Sequence, residues 1–373
     1  MRALLRALGR PHEQFPSVIV AGTNGKGSTS ATLASILRAS GYRTGLYTSP
    51  HLVDIRERWA IDGVPISEGE LVGAVEELRR APTEITPTYF EALTLIAFIV
   101  FARAQCDVVV LEVGMGGRLD ATNVVRPVAA LVTPIGMDHT EFLGNTIRKI
   151  AAEKAGVIHR GAIVLTSNRD EAVLEVIRKR AAKFGSGVHV VHGSHATPLE
   201  GDFQPNNAAL AVRAAEELRV QFPNITPGSI ERGVAETRWR GRLERFEIGG
   251  KTILVDGCHN AHAARAVAPY VARTLPAPRL LVFGIMADKD VRDVMDALFP
   301  LFDRVIATEP YPPRSLPATE IPGAVPVPDM NEALQLALDA GERSVFVGGS
   351  LYLAGAAIAF LGADPSTRGA RSG

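Results

Sequence analysis

The sequence is poor in several features that mark particular classes of protein. Only two cysteines occur, Cys106 and Cys258, far apart and without CxxC spacing. We therefore expect neither a disulfide framework nor a thiolate zinc site, and a reducing cytoplasm is the expected location. Basic and acidic residues balance at 40 each, so no net field recruits nucleic acid or an anionic membrane. Neither is expected as a partner, and we expect a monomer.

Long hydrophobic runs are also missing. The most apolar stretch, residues 92–102 (ALTLIAFIVFA), falls well short of the roughly 18 residues that a membrane span needs. Residues 1–16 include basic side chains but no apolar segment of the length that a secretory signal requires. The stretch 92–102 is therefore expected to be a buried helix in a large core.

What the sequence does contain is an alternation of short apolar runs with helical patterns, which is typical of parallel βαβ construction. Because the runs are continuous rather than alternating, the strands should be covered on both faces. In the first part of the chain, strands are expected at residues 17–22, 44–48, 107–113, 129–133 and 162–166.

After Trp239 the same pattern begins again. Further strands are expected at residues 252–256, 279–284, 304–308 and 344–348. We predict an α/β protein with an N-terminal parallel-sheet domain (1–239) and a smaller C-terminal Rossmann-like domain (240–373). The glycine-rich turn at residues 22–28 indicates that the N-terminal domain is a P-loop-type ATPase domain. The proline-rich segment 310–328 is expected to be a loop of the second domain, and a tail after Asp364 is expected to fray.

Residues 22–28 (GTNGKGS) form a glycine-rich turn between a buried strand and a helix. Backbone N–H groups and the positive end of a helix dipole can hold a phosphate at such a place. Lys26 can reach the β- and γ-phosphates, and the Ser28 hydroxyl can ligate Mg²⁺. The spacing is not the ordinary Walker pattern, and a merely flexible turn is the alternative. The composition of the turn favours nucleotide binding by Thr23, Asn24, Gly25, Lys26, Gly27 and Ser28.

Seven further motifs follow the glycine-rich turn in unbroken order. They are TSPHL (48–52), LEVGMGGRLDATN (111–123), GMDHTEFLG (136–144), EKAGVI (153–158), RGRLE (240–244), DGCHNAHAA (256–264) and GSLYLAG (349–355). With the turn, they resemble the folylpolyglutamate synthases and dihydrofolate synthases of the Mur ligase superfamily over nearly the whole chain. The chain departs from the common family string at Cys258, where alanine is usual, and at Ala261, where proline is usual.

Two polar residues follow apolar strands, where open α/β sheets bind ligands. Glu112 ends one such run, and His139 follows another. By themselves they could be a solvated acid and a capped or core histidine, and Lys154 would be a solvated helix lysine. The resemblance implies instead that Lys154 is carbamylated, and that the ligands of Mg²⁺ are Ser28, Ser49, Glu112, His139 and Lys154. Lys26, His139 and Lys154 are the expected catalytic residues.

The resemblance also assigns residues to substrates. It implies that the pterin-bearing substrate contacts Thr88, Phe90, Asp120 and Ala121. It further implies that ATP contacts Asn207, Arg242, Asp256 and His259. Phe90 could equally be a core aromatic, Asn207 a helix N-cap, and Arg242 one half of a surface ion pair.

The implied activity is ATP-dependent ligation of L-glutamate to a folate-type carboxylate, with folate or dihydropteroate as acceptor and an acyl phosphate as intermediate. A cell-wall ligase of the Mur type and a nucleotide-binding switch without ligase activity are the alternatives. A nicotinamide oxidoreductase would rest on fold analogy alone. The resemblance also implies a longer N-terminal segment that helps to enclose the pterin, so we expect the chain to begin partway through that segment.

Overall fold

Two β-sheets, each mostly parallel, organise the chain in the computed structural model, which describes residues 1–363. Each sheet belongs to its own compact unit. The first unit comprises Met1–His51, Ile55–Pro198 and Gln204–Arg238, and the second comprises Leu52–Asp54, Leu199–Phe203 and the described residues from Trp239 onward. The tail that was predicted to fray after Asp364 lies outside the described residues.

The first unit is built from eight strands and nine helices. The strands are β1 (Ser17–Ala21), β2 (Thr44–Tyr47), β3 (Trp59–Ile61), β4 (Val64–Pro65), β5 (Val108–Glu112), β6 (Ala129–Val132), β7 (Ile163–Thr166) and β8 (Val188–Val190). The helices are α1 (Arg2–Ala7), α2 (Lys26–Ala39), α3 (Glu68–Arg80), α4 (Tyr89–Arg103), α5 (Thr140–Leu143), α6 (Ile147–Ala155), α7 (Glu171–Ala182), α8 (Gln204–Leu218) and α9 (Pro227–Ala235).

The first sheet has the strand order β4-β3-β2-β5-β1-β6-β7-β8. The strands from β2 to β8 in this order pair in parallel, whereas β3 and β4 pair antiparallel at one edge. All five strands expected from the apolar runs are confirmed, and β1, β2, β5 and β6 are buried along their whole length. The edge strands β3, β4 and β8 were not predicted because they are only two or three residues long.

Helix α4 confirms the buried helix expected at residues 92–102. Every residue from Leu93 to Phe101 is buried, and the helix begins at a capping box formed by Thr88 and Glu91. The box satisfies backbone N–H groups that a helix start leaves without an intrahelical partner. Among residues 1–363, no helix is both long enough and apolar enough to cross a membrane.

The second unit repeats the α/β pattern on a smaller scale. Its strands are β9 (Glu244–Ile248), β10 (Lys251–Val255), β11 (Arg279–Phe283), β12 (Arg304–Ala307), β13 (Val325–Pro326) and β14 (Ser344–Gly348), in the order β13-β12-β11-β14-β10-β9. Its helices are α10 (Ala261–Thr274), α11 (Val291–Leu298), α12 (Met330–Asp339) and α13 (Leu351–Ala363). Among the strands that the structure describes in this unit, only β9 runs antiparallel to its neighbour. The segment 310–328 was predicted to be all loop, but it contains a 3₁₀ helix (Ala318–Glu320) and the edge strand β13.

Two short segments that precede Trp239 in the sequence belong to the second unit. A Cβ on Gly355 of α13 would collide with the backbone carbonyl of Leu52, so this glycine lets Leu52–Asp54 lie directly on the helix. The segment Leu199–Phe203 is held by Glu200, which accepts hydrogen bonds from Arg245 Nε at 3.2 Å and from the Tyr270 hydroxyl at 2.7 Å.

Candidate active site

The glycine-rich turn lies at the carboxyl end of β1 and leads into α2. Gly25 takes the N-cap position of α2 with φ of 82°, a left-handed conformation that glycine adopts at little cost. A Cβ on Gly22 would collide with the Thr133 side chain, and one on Gly25 would collide with Asn207 Oδ1. Because the turn is pressed against these two side chains, glycine is needed at both positions for packing as well as for conformation.

Hydrogen bonds fix the turn to the segment that follows β6. The Thr23 hydroxyl donates to the Gly136 carbonyl at 3.1 Å, and the Gly136 N–H returns a hydrogen bond to that hydroxyl at 3.1 Å. Lys26 Nζ donates to the Thr23 carbonyl at 3.1 Å, which folds the lysine back over the turn. The lysine is therefore held at the N-terminus of α2, where an anion would bind.

Lys154 lies beneath the same turn, near the end of α6. It is 4% exposed, and its Nζ donates to the Gly22 carbonyl at 2.7 Å. Burial, followed by repulsion from Lys26, lowers the pKa of the Lys154 ammonium to about 7. The alternative of a solvated helix lysine is therefore wrong.

Glu112 and Ser49 are brought together at the carboxyl ends of β5 and β2. The Glu112 carboxylate accepts a hydrogen bond from the Ser49 N–H at 3.1 Å, and Glu112 is 5% exposed. The alternative of a solvated acid is therefore wrong as well. His139 immediately precedes α5 with φ of 49°, and its Nε2 lies 3.9 Å from Asp138 Oδ1.

These residues fit a hard divalent cation. Glu112 supplies a buried carboxylate and Ser49 lies beside it, and oxygen donors suit Mg²⁺. Within residues 1–363 no group of three or more His, Cys, Asp or Glu side chains is clustered to hold a metal. A magnesium ion here would have to complete its shell with hydroxyls, water and phosphate oxygens, as this cation commonly does.

A cavity of about 820 Å³ opens in the first unit, and all four residues predicted to contact the acceptor substrate line it. These residues are Thr88, Phe90, Asp120 and Ala121. The Phe90 ring also packs against the core and lies 6.4 Å from the Tyr47 ring, centroid to centroid. Phe90 therefore both contacts the core and lines the cavity, and its contact with the acceptor stays a prediction.

Asp120 organises the backbone of this cavity. Its carboxylate accepts hydrogen bonds from the N–H groups of Gly114 and Met115, both at 3.1 Å, and from the Thr122 hydroxyl at 2.6 Å. Burial raises the pKa of this carboxyl, although the hydrogen bonds oppose the shift. Asp120 thus shapes the wall of the cavity that it lines.

The residues of the second unit that were predicted to contact ATP gather at the carboxyl end of β10. Asp256 is 3% exposed and accepts hydrogen bonds from the N–H groups of Leu243 at 2.9 Å and Cys258 at 2.8 Å. Burial raises the pKa of its carboxyl, and the nearby Arg242 guanidinium opposes the rise. Arg242 donates to the Gly241 carbonyl at 2.8 Å, and His259 Nδ1 lies 2.8 Å from the Gly257 carbonyl.

The structure excludes one alternative for Asn207, and it reveals a role for Asn168, which the sequence did not single out. Asn207 is the fourth residue of α8, so the alternative of a helix N-cap is wrong. Asn168 is buried and accepts from the Ile135 N–H at 2.8 Å, while its Nδ2 donates to the Thr133 carbonyl at 2.9 Å. It clamps the segment that leads to Gly136. A polar residue two positions after β7 was the only signal that could have identified it.

Comparison with known proteins gives a consistent result. Residues 20–208 match the Mur ligase middle domain, and residues 241–351 match the Mur ligase glutamate ligase domain. The folylpolyglutamate synthase of Lacticaseibacillus casei is 34% identical over 95% of this chain and 91% of its own length. The dihydrofolate synthase/folylpolyglutamate synthase of Bacillus subtilis is 33% identical over 80% of this chain and 77% of its own length.

Among solved structures, the folylpolyglutamate synthase of Mycobacterium tuberculosis complexed with ADP and AMPPCP superposes with a TM-score of 0.87. It is 31% identical in sequence, and the match covers 98% of this chain and 95% of that one. The fold, the order of the motifs and these comparisons agree with the resemblance seen in the sequence. The chain belongs to the Mur ligase family, and within it to the group of folylpolyglutamate synthases and dihydrofolate synthases.

Proposed function

We propose that this protein uses ATP to join L-glutamate to the carboxylate of a folate-type acceptor, either a folate or dihydropteroate. The observation that carries the proposal is that one unit holds both a glycine-rich turn at the N-terminus of α2, where an anion would bind, and a cavity of about 820 Å³ lined by every residue expected to contact the acceptor. Relatives named folylpolyglutamate synthase and dihydrofolate synthase support the same reaction.

In the first step, an oxygen of the acceptor carboxylate attacks the γ-phosphorus of ATP. The bond from that phosphorus to the β-phosphate oxygen breaks, which gives an acyl phosphate and ADP. Such a transfer depends mainly on positioning and on neutralising negative charge. Lys26 supplies a positive charge at the turn, and the backbone N–H groups at the start of α2 hold the phosphates.

In the second step, the amine of glutamate attacks the acyl carbon and loses a proton, and phosphate leaves as the amide forms. We propose that residues 1–239 bind ATP, Mg²⁺ and the acceptor. Residues 240–373 contribute Arg242, Asp256 and His259 to ATP binding and take part in binding glutamate. Water must be excluded during this step because it would hydrolyse the acyl phosphate.

Mg²⁺, when bound, would supply positive charge that neutralises the negative charge developing on the phosphates. We propose that Ser28, Ser49, Glu112 and His139 hold it, together with a carbamate on Lys154. Carbamylation requires a neutral amine, and the lowered pKa of Lys154 provides one near neutral pH. The modification would replace a cation with a carboxylate-like group beside a divalent ion, which removes a charge repulsion.

The decisive experiment is an assay of ADP release with ATP, Mg²⁺ and glutamate, in which dihydropteroate and a reduced folate are compared as acceptors. We expect release that depends on both glutamate and the acceptor. ATP hydrolysis at a rate that does not depend on glutamate would instead indicate a nucleotide-binding switch. Turnover with a UDP-linked peptidoglycan precursor but not with either pterin would indicate a cell-wall ligase.

A further inference from the structure

The first helical turn of α8 lies against the glycine-rich turn at residues 22–28, which is the phosphate-binding turn of the proposed function. Asn207 is 5% exposed, and its Oδ1 faces Gly25 so closely that a Cβ there would collide with it. Its Nδ2 donates to Gln204 Oε1 at 3.0 Å. The Asn207 amide is therefore held between the turn on one side and Gln204 on the other.

Gln204 is the first residue of α8, and its side chain is completely buried. Its Oε1 is occupied by Asn207, yet its Nε2 has no hydrogen-bond partner among residues 1–363. A buried donor without a partner costs free energy, so a native protein usually has a reason for keeping one. Because the contact with Asn207 fixes one end of the carboxamide, the direction of the unpartnered donor is fixed as well.

We propose that Gln204 is a nucleotide-binding residue: its Nε2 donates a hydrogen bond to an acceptor atom of the bound ATP, while its Oε1 orients Asn207 against the phosphate-binding turn. A nucleotide suits this donor because phosphates, ribose and base all present acceptor atoms. The sequence motifs pointed to Asn207 in this segment and gave Gln204 no role. The inference rests on the proposed ATP-dependent function.

Binding of AMPPCP, measured by titration calorimetry, tests the proposal with two variants. Gln204→Glu keeps an acceptor for Asn207 Nδ2 but replaces the donor with a carboxylate oxygen. Gln204→Met removes the donor and the acceptor while keeping the chain length and adding no charge. We expect the affinity for AMPPCP to fall at least about tenfold in both variants. In turnover, the KM for ATP should rise while the KM for the acceptor stays near its original value.

Ser35→Ala is the matched control, because Ser35 Oγ on α2 is another buried atom that lacks a partner in the described part of the chain. It should leave AMPPCP binding unchanged. Affinity within about twofold of the wild type in Gln204→Met would overturn the proposal. The melting temperature of each variant without nucleotide separates lost binding from lost folding. If the unaltered protein failed to bind AMPPCP, the proposed function itself would fall, which distinguishes that failure from an error about Gln204 alone.

Discussion

The glycine-rich turn (22–28) and the DGCHN segment (256–260) hold equivalent places in their two units. Each follows a strand that pairs in parallel with a neighbour, β1 with β5 or β10 with β14, and each leads into a 14-residue helix, α2 or α10. The two segments differ in whether a side chain caps the N-terminus of the helix that follows. Gly25 has no side chain with which to cap α2, whereas Asn260 caps α10 by accepting from the Ala263 N–H at 2.9 Å.

The two segments also differ in the charged groups that surround them. In the first unit, two lysines converge on one turn, and burial together with mutual repulsion lowers the pKa of Lys154. In the second unit, the buried Asp256 carboxylate accepts two backbone N–H groups, so it fixes the local backbone whatever else it binds. The same strand–turn–helix arrangement can therefore present its helix N-terminus to an anion or close it with its own side chains.

Lys26→Ala should have the largest effect if the first turn is open to phosphate. Removing one positioned electrostatic contact commonly costs about 10²–10³ in rate, and the fold should persist because Lys26 contacts the turn and not the core. The rate of ADP release in steady state measures the loss. Lys183→Ala, at an exposed lysine after α7, is the control and should keep full activity. Near-normal turnover in Lys26→Ala would contradict the assignment of the turn.

Lys154→Ala tests whether the α6 lysine that contacts the turn acts as a modified ligand. We expect most activity to be lost and to be partly restored by short-chain carboxylates, which would replace the carbamate. Because only the neutral amine reacts with CO₂, the carbamate should form more fully above pH about 7. Carbon-13 NMR in labelled bicarbonate would detect it. A bare ammonium in electron density from a crystal with metal and nucleotide bound would argue against the modification.

Asn168→Ala tests whether the glycine-rich turn (22–28) must be held rigidly. The substitution loosens that turn, although Asn168 is not expected to contact a phosphate. The substitution removes the clamp on Thr133 and Ile135 and so loosens Gly136, which holds Thr23. Misplacement of catalytic groups by about 1 Å can cost up to about 10²-fold in rate. Val173→Ala, in the buried face of α7, is a control that lowers the melting temperature without reaching the turn. If both variants lose the same activity at equal stability, Asn168 has only a structural role.

Much of the fold could be predicted from the sequence because continuous apolar runs and glycines at the ends of elements can be recognised in short stretches of sequence. All nine strands expected from the apolar runs form, and the helix expected at residues 92–102 is α4. The short edge strands were not predicted, nor were the two segments before Trp239 that belong to the second unit. Both depend on contacts between residues that are distant in the sequence. The motifs also placed the candidate site residues, but not their burial. Lys154 and Glu112 look like solvated residues until the sheet and helices enclose them.

The smallest expected effect concerns Arg242 in the second unit. If Arg242 contacts ATP, Arg242→Ala should raise the KM for ATP by about tenfold, equivalent to about 1.4 kcal/mol, and leave the KM for the folate acceptor nearly unchanged. Asp256→Asn should act in the same direction and should also lower the melting temperature, because one of its two buried N–H partners would lose an acceptor.

Arg240→Ala is the matched control for Arg242→Ala. Arg240 lies in the same turn, but it pairs with Glu244 at 3.0 Å and half of its side chain is exposed, so its removal should change neither KM. Initial rates with each substrate varied in turn separate the two possibilities. A selective rise in the KM for ATP would mean that the DGCHN region binds nucleotide despite its internal hydrogen bonds. Equal rises in the KM for ATP and in the KM for the acceptor would mean that Arg242 only supports the turn through Gly241. The two units would then differ in function as well as in structure.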